Sequence, residues 1–344
     1  MNIKISHNYN LEKKNLDFVS YVITAYNKRK YIQSVFKALC NEGGSHKREY
    51  IVVDDGSIDS TSIILKKLSS KLPGKLIILK RQNLGASYST NEAVSLASGY
   101  WIRLLDGDDR VTYRSTSKML YLAKRYKVNF VYGLISKTKL LSYSMPFEYT
   151  VQNRDQGLRK FIRNCPANSS SILVSKKRYI ISGGCNESFI SPDQVLFLRL
   201  FTSGKAVFLK QVVATLPSGQ SNDRLSSQIK RSRYESILAL INLCNENPNL
   251  EKTYIKLAFK RALSRANTYN KNLNNIFFSS HWLSYIMSKF FFPTFYKKLM
   301  YHSLKVFTGD KIERPKLWQT RAEKISLSSE FIKNKYVWFS RFIS

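Results

Sequence analysis

The chain has 344 residues, enough to bury a large core and to hold one big domain plus an extension. Its apolar share of 43% argues against a disordered chain, and four scattered cysteines without CxxC spacing argue against a disulfide framework. Lysine plus arginine outnumber aspartate plus glutamate by 56 to 23; the resulting +33 points to anionic partners, whether nucleic acid, a membrane surface or acidic substrates.

Residues 1–17 are polar and charged and read as an N-terminal lead rather than a signal peptide. Phe18 to Ile23 is β-branched and aromatic, a strand pattern that ends in Thr24-Ala25-Tyr26-Asn27. Tyr31, Ile32, Val35, Phe36 and Leu39 then recur at helical spacing, and Gly43-Gly44 opens a loop before a second strand at 50–53. Asp59-Ser60-Thr61 is an N-cap run for a helix through Ile63, Ile64, Leu65 and Leu68, which Pro73-Gly74 ends. Leu76–Leu79 makes a third strand, Ser87–Ala97 a third helix and Tyr100–Leu105 a fourth strand. Further strands are expected at Phe130–Tyr132, Ser171–Val174 and Ala206–Leu209. Strands and helices alternating at this pace specify an α/β sheet. The character changes after about Pro217, and from Leu225 onward the pattern is helical, with one more glycine, Gly309, before the end. This divides the chain into a lead (1–17), an α/β domain (18–217) and a basic, aromatic-rich helical region (218–344).

Two of these strands run straight into aspartates: Tyr50-Ile51-Val52-Val53-Asp54-Asp55-Gly56-Ser57 and Leu104-Leu105-Asp106-Gly107-Asp108-Asp109. Carboxylates packed this closely repel one another, so such a cluster holds a cation or hydrogen-bond donors, or else is a solvated acidic turn. Two carboxylates flanking a glycine at a strand end can reach one Mg²⁺ or Mn²⁺, leaving coordination sites for phosphate oxygens and water. Strand ends of an open α/β sheet are also where that architecture binds ligands.

The strand followed by TAYN, then VVDDGS-x-D-S-T, Asn83-Leu84-Gly85-Ala86-Ser87 and LLDGDD, in order across residues 18 to 110, resembles the family-2 glycosyltransferases. Gly183-Gly184-Cys185-Asn186-Glu187-Ser188-Phe189 with Pro192-Asp193-Gln194 looks like that family's second signature. The resemblance implies a GT-A fold: a Rossmann-like, mostly parallel sheet flanked by helices, here with a helical C-terminal extension. It implies that Thr24, Ala25 and Tyr26, with Asp54 or Asp55, receive the nucleobase of a nucleotide-sugar donor, with Asn83 and Gly85 also on the donor side. Asp106 and Asp108 would bind the metal and diphosphate, Asp109 would lie beside the donor sugar, and Asp193 would be the catalytic base. A single base suffices where an acceptor hydroxyl attacks an anomeric carbon in one displacement; the alternative for Asp193 is a helix cap after Pro192. The chain departs from the family in carrying Thr90-Asn91 where many relatives have Arg-Asn, in lacking a proline in Arg110–Tyr113, and in having Pro192-Asp193 for an acidic pair.

The C-terminal region mixes aromatics with cations, in Trp282, Tyr285, Phe290, Phe291, Phe292, Phe295, Tyr296, Lys297 and Lys298, and again in Phe331, Lys333, Lys335, Tyr336, Trp338, Phe339 and Arg341. Such segments either lie on an anionic membrane surface or pack on the catalytic domain. The longest apolar stretch, Trp282–Tyr296, is broken by Ser284, Ser288, Lys289 and Pro293 and is too short to span a bilayer. The expectation is therefore an inverting, Mg²⁺- or Mn²⁺-dependent glycosyltransferase, cytoplasmic, and peripheral on the membrane where the C-terminal aromatics face lipid. Its donor would be UDP-linked and its acceptor a glycan or lipid-linked glycan in bacterial surface-polysaccharide synthesis. The other readings are a nucleotidyltransferase, which would want a glycine-rich loop that Thr24–Lys30 lacks, and a non-catalytic glycan- or membrane-binding module. No nucleic-acid-binding motif supports a nucleic-acid partner.

Overall fold

The first seven elements alternate strictly: β1 (Phe18–Ala25), α1 (Ile32–Cys40), β2 (Lys47–Asp54), α2 (Thr61–Leu68), β3 (Lys75–Lys80), α3 (Ala86–Leu96) and β4 (Trp101–Asp106). They are seen in a computed structural model that describes residues 16–68, 72–137, 147–217, 229–273 and 278–307. Nearly all of the N-terminal lead and the second aromatic-basic cluster, Phe331 to Arg341, lie outside the described residues. Strands β1, β2, β3 and β4 pair in parallel, and β1, β2 and β4 are buried on both faces. Their near-continuous Val, Ile and Leu runs are what two-sided burial requires. Alternate residues feed two cores: Val22, Ile51, Val53, Ile102 and Leu104 on one side, Tyr21, Ile23, Tyr50, Val52 and Leu105 on the other.

The sheet continues as β3-β2-β1-β4-β8-β6-β9-β5, with β7 also on β9. Here β5 is Arg110–Val111, β6 Phe130–Ser136, β7 Tyr149–Gln152, β8 Ile172–Ser175 and β9 Ala206–Thr215. This half is mixed: β8 runs antiparallel to both β4 and β6, while β6 and β9 are parallel. Between these strands lie α4 (Ser115–Arg125), α5 (Arg154–Arg163), α6 (Lys176–Ile181) and α7 (Asp193–Thr202). The stretch from 147 to 170 carries no strong periodicity, yet it forms β7 and α5. Asn153 accepts from Gln156 N–H while the Gln156 side chain returns to Asn153 N–H, a capping box that starts α5.

The helices α8 (Ile229–Glu246), α9 (Lys252–Leu273), α10 (Ser280–Phe290) and α11 (Tyr296–Ser303) follow. Ile237, Leu240, Phe259 and Leu263 share one apolar cluster with Leu158 and Phe161 of α5 and Leu196 and Phe197 of α7. Two ion pairs tie the same contact, Arg199 with Glu246 at 2.6 Å and Arg154 with Glu251 at 2.6 Å. Thus α8 and α9 pack on the α/β body. Among the described residues no helix is long and apolar enough to cross a membrane.

Candidate active site

The chain lays β2 and β3 on one side of β1 and then crosses back through α3 to lay β4 on the other. A crevice opens where strand order reverses in this way, at the carboxyl ends of the strands. The register sets Thr24 opposite Asp106 and Ala25 opposite Asp54, so motifs distant in sequence meet at that edge. Gly107 N–H donates to Thr24 O at 2.8 Å, and a Cβ on Gly107 would itself stand 2.8 Å from that oxygen. A side chain there would wedge the two strand ends apart, which explains a glycine between carboxylates. Tyr26, just past the strand, is 45% exposed.

A short 3-10 turn, Ser169–Ser171, joins the carboxylates. Ser169 N–H donates to Asp193 Oδ1 at 2.7 Å, and Ser169 Oγ donates to Asp106 Oδ1 at 2.8 Å. Beside it, Asp106 N–H donates to Ser170 Oγ at 2.9 Å, and Asn168 Nδ2 donates to Asp109 Oδ2 at 3.3 Å. The turn is pinned from below by Arg103, wholly buried in β4, whose guanidinium donates to the carbonyls of Ser170 (2.6 Å), Ile172 (3.0 Å) and Val213 (3.1 Å).

Asp193 opens α7 after Pro192, and no side-chain hydrogen bond caps that helix at Pro192. The Asp193 carboxyl instead reaches across to Ser169. Burial, and then the nearby negative charge of Asp106, raise its pKa from 3.8 to about 7. The loop that delivers it is anchored from three helices. Asn91 of α3 donates to Cys185 O at 2.9 Å and accepts from Cys185 N–H at 3.0 Å. Arg199 of α7 donates to the carbonyls of Gly183 (2.7 Å) and Gly184 (2.8 Å), and Glu235 of α8 accepts from Ile190 N–H (2.8 Å) and Ser191 N–H (3.0 Å).

The Asp54-Asp55 pair divides its labour. Asp54 is 0% exposed, and its carboxylate accepts from Ser57 N–H at 3.0 Å and from the Ser62 hydroxyl. It is consumed inside the β2–α2 turn. Asp55 accepts from Leu84 N–H (2.9 Å) and Gly85 N–H (2.7 Å), so it holds the Asn83-Leu84-Gly85 turn in place. Arg81, at the end of β3, lies 3.4 Å from Asp55 and its guanidinium is 4.4 Å from the centre of the Tyr88 ring. This puts an arginine beside the turn although Thr90 stands where relatives carry one.

Lys28 Nζ donates to Asp108 Oδ2 at 2.9 Å. An ammonium on this carboxylate marks where the site wants positive charge. Among the described residues no three His, Cys, Asp or Glu side chains gather to hold a metal ion. One or two carboxylates completed by substrate phosphates are nevertheless the usual protein share of a Mg²⁺ site, and the hard oxygens of Asp106 and Asp108 fit that chemistry. Sequence patterns had not singled out Asn168, Ser169, Ser170, Lys28 or Arg81. Lys28 and Arg81 flank motifs and were findable as the nearest cations. The Asn-Ser-Ser-Ser run had only its polarity just before a strand to mark it.

Solved structures share this architecture. Residues 1–349 of S. aureus TarS in complex with UDP-GlcNAc align with a TM-score of 0.60 at 16% identity, covering 94% of this chain and 89% of that one. The mannosyltransferase PcManGT from Pyrobaculum calidifontis, in complex with GDP-Man and Mn²⁺, aligns with a TM-score of 0.57 at 11% identity over 94% and 84%. The architecture is the GT-A fold of these structures. Residues 20–183 of the chain match the family model of Glycosyl transferase family 2. Among its relatives, the minor teichoic acid biosynthesis protein GgaB of Bacillus subtilis (strain 168) is 30% identical over 187 residues, 54% of this chain and 19% of that protein. The hyaluronan synthase of Pasteurella multocida is 37% identical over 91 residues, 26% of this chain and 9% of that protein. The chain thus spans less than a fifth of the length of either relative.

Proposed function

We propose that this chain is an inverting glycosyltransferase that moves a sugar from a UDP-sugar to a hydroxyl of a glycan or lipid-linked acceptor in bacterial surface-polysaccharide assembly. The observation that carries the reading is the single residue, Ser169, bonded both to Asp106 and to Asp193. It sets a carboxyl of raised pKa beside the DGDD turn. Asp193 takes the acceptor proton as the hydroxyl oxygen attacks the anomeric carbon, and the bond to the departing UDP breaks on the opposite face. A carboxyl near pKa 7 suits a base working at neutral pH. Asp106 and Asp108 would hold Mg²⁺ or Mn²⁺, which would supply positive charge for the leaving diphosphate.

Asp109 lies beside the donor sugar, and the exposed Tyr26 ring, with Thr24 and Ala25, receives the base. Asp55 and the Asn83–Gly85 turn it holds border the same pocket. The UDP complex of a structural neighbour and the teichoic acid and hyaluronan names of relatives support this substrate class. In this reading residues 18–217 form the catalytic domain, 218–344 a helical region, and the chain works at the cytoplasmic face of a membrane.

Thermal stabilisation by UDP, GDP, CMP and dTDP, with and without Mn²⁺, tests it in the wild type and in Asp108→Ala. A ligand at a hundredfold excess over its Kd adds about 2.7 kcal/mol of stability. The expected result is stabilisation by UDP alone, dependent on both Mn²⁺ and Asp108. A folded protein that responds to none of the four would overturn the reading.

A further inference from the structure

Helix α10 wears its apolar face outward. Toward the body it presents His281, Tyr285 and Ser288, with His281 and Ser288 buried. Leu283, Met287 and Phe290, spaced i, i+4 and i+7 and so on one face, are exposed. The turn into α11 extends this surface: Phe290 is 75% exposed, Phe291 61% and Phe295 55%. Its neighbours Phe292 and Tyr296 are tucked against the core, so aromatic residues here are sorted between inner and outer faces.

Charge follows the same division. Residues 229–307 contain thirteen Lys and Arg and three carboxylates, Glu235, Glu246 and Glu251. All three carboxylates are engaged by the α/β body, through Ile190 and Ser191 N–H, Arg199 and Arg154 respectively. Residues 278–307 contain no carboxylate, and their four lysines, Lys289, Lys297, Lys298 and Lys305, are all exposed. The surface is therefore both apolar and cationic, without acidic residues of its own.

We propose that the outer face of α10, the Phe291–Phe295 turn and the start of α11 form a docking surface for an anionic lipid bilayer. The phenylalanines enter the boundary between headgroups and acyl chains, and the lysines lie against lipid phosphates. This deepens the membrane-peripheral part of the function proposed above but uses no residue of the cleft.

Cosedimentation of the full chain tests it, with vesicles of phosphatidylcholine alone and vesicles in which about a third of the lipid is phosphatidylglycerol. The wild type is expected to bind only the anionic vesicles. Each of Lys289→Gln, Lys297→Gln and Lys298→Gln should weaken binding about fivefold, and the triple change about a hundredfold. Phe290→Ser, Phe291→Ser and Phe295→Ser together should abolish binding while leaving thermal stability and nucleotide-induced stabilisation unchanged. That last measurement separates a failed docking surface from a failed donor site. Equal binding to neutral vesicles, undiminished binding by either triple variant, or a self-association removed by the serine changes would overturn the proposal.

Discussion

Ser169 N–H donates to Asp193 Oδ1 at 2.7 Å, a bond that does not depend on the serine side chain. The hydroxyl of the same residue donates to Asp106 and also helps to hold the Asp193 pKa down. Ser169→Ala should therefore take a hydroxyl from both carboxylates and leave the N–H bond to Asp193 in place. Mn²⁺-dependent UDP affinity is expected to fall about tenfold, the order of one hydrogen bond to a charged group. The pH midpoint of transfer should rise, because the Ser169 hydroxyl also holds the Asp193 pKa down. Calorimetric titration and a pH–rate profile read the two effects separately.

Asp193→Asn should lower kcat by about 10²- to 10⁴-fold, the usual range for losing a positioned base, with UDP binding retained. Its effect on stability has the opposite sign. The folded carboxyl holds its proton more tightly than the unfolded one, so this group's contribution to stability is full below about pH 4 and is lost as pH rises to about 7. The asparagine variant should lose that pH dependence and gain on the wild type near neutrality. Urea unfolding between the two pH values checks it.

Lys28→Met removes the ammonium from Asp108. Without a bound ion the variant should be less stable by about 1–3 kcal/mol, because a charged hydrogen bond at a mostly buried carboxylate is gone. Mn²⁺ alone should then bind about tenfold more tightly than to the wild type, since no lysine must first be displaced. Mn²⁺ titration followed by electron paramagnetic resonance, without nucleotide, distinguishes this from an effect on catalysis.

Asp55→Asn puts an amide where two backbone N–H groups converge. One of Leu84 N–H and Gly85 N–H loses its acceptor and faces an NH₂ instead. The expected cost is about 1–3 kcal/mol of stability, with UDP affinity weakened through the displaced turn. Denaturant midpoints and UDP titrations measure both.

The half of the fold from β1 to β4 was legible in the sequence because each element there is long, apolar and punctuated. Val52 and Val53 or Leu104 and Leu105 need no partner to reveal a buried strand, and Asp59 does cap the start of α2, accepting Thr61 N–H at 2.9 Å. Elements α4 and α5 were not legible, since their few apolar residues, Met119 and Leu122 or Leu158 and Phe161, are diluted by charge. Only the surfaces they cover make helices of them. The resemblance of four ordered motifs marked the carboxylates, but could not rank Asp54 against Asp55. That ranking depends on Ser57, Ser62, Leu84 and Gly85, whose hydrogen bonds form only when the turns close.

By itself, then, the sequence determined the parallel half of the sheet, the acidic turns at its strand ends and the cationic, aromatic character of the C-terminal region. These are local properties, set by the side-chain period of a strand, by turn chemistry and by composition. Only the tertiary structure decided that Asp193 points at Ser169 rather than capping its helix, and that Lys28 sits on Asp108. The same holds for Glu235, Glu246 and Glu251 being spent on the α/β body while Phe290, Phe291 and Phe295 are left outside. Each joins residues far apart in the chain, and the direction of a side chain across such a distance follows from packing, which no local pattern encodes.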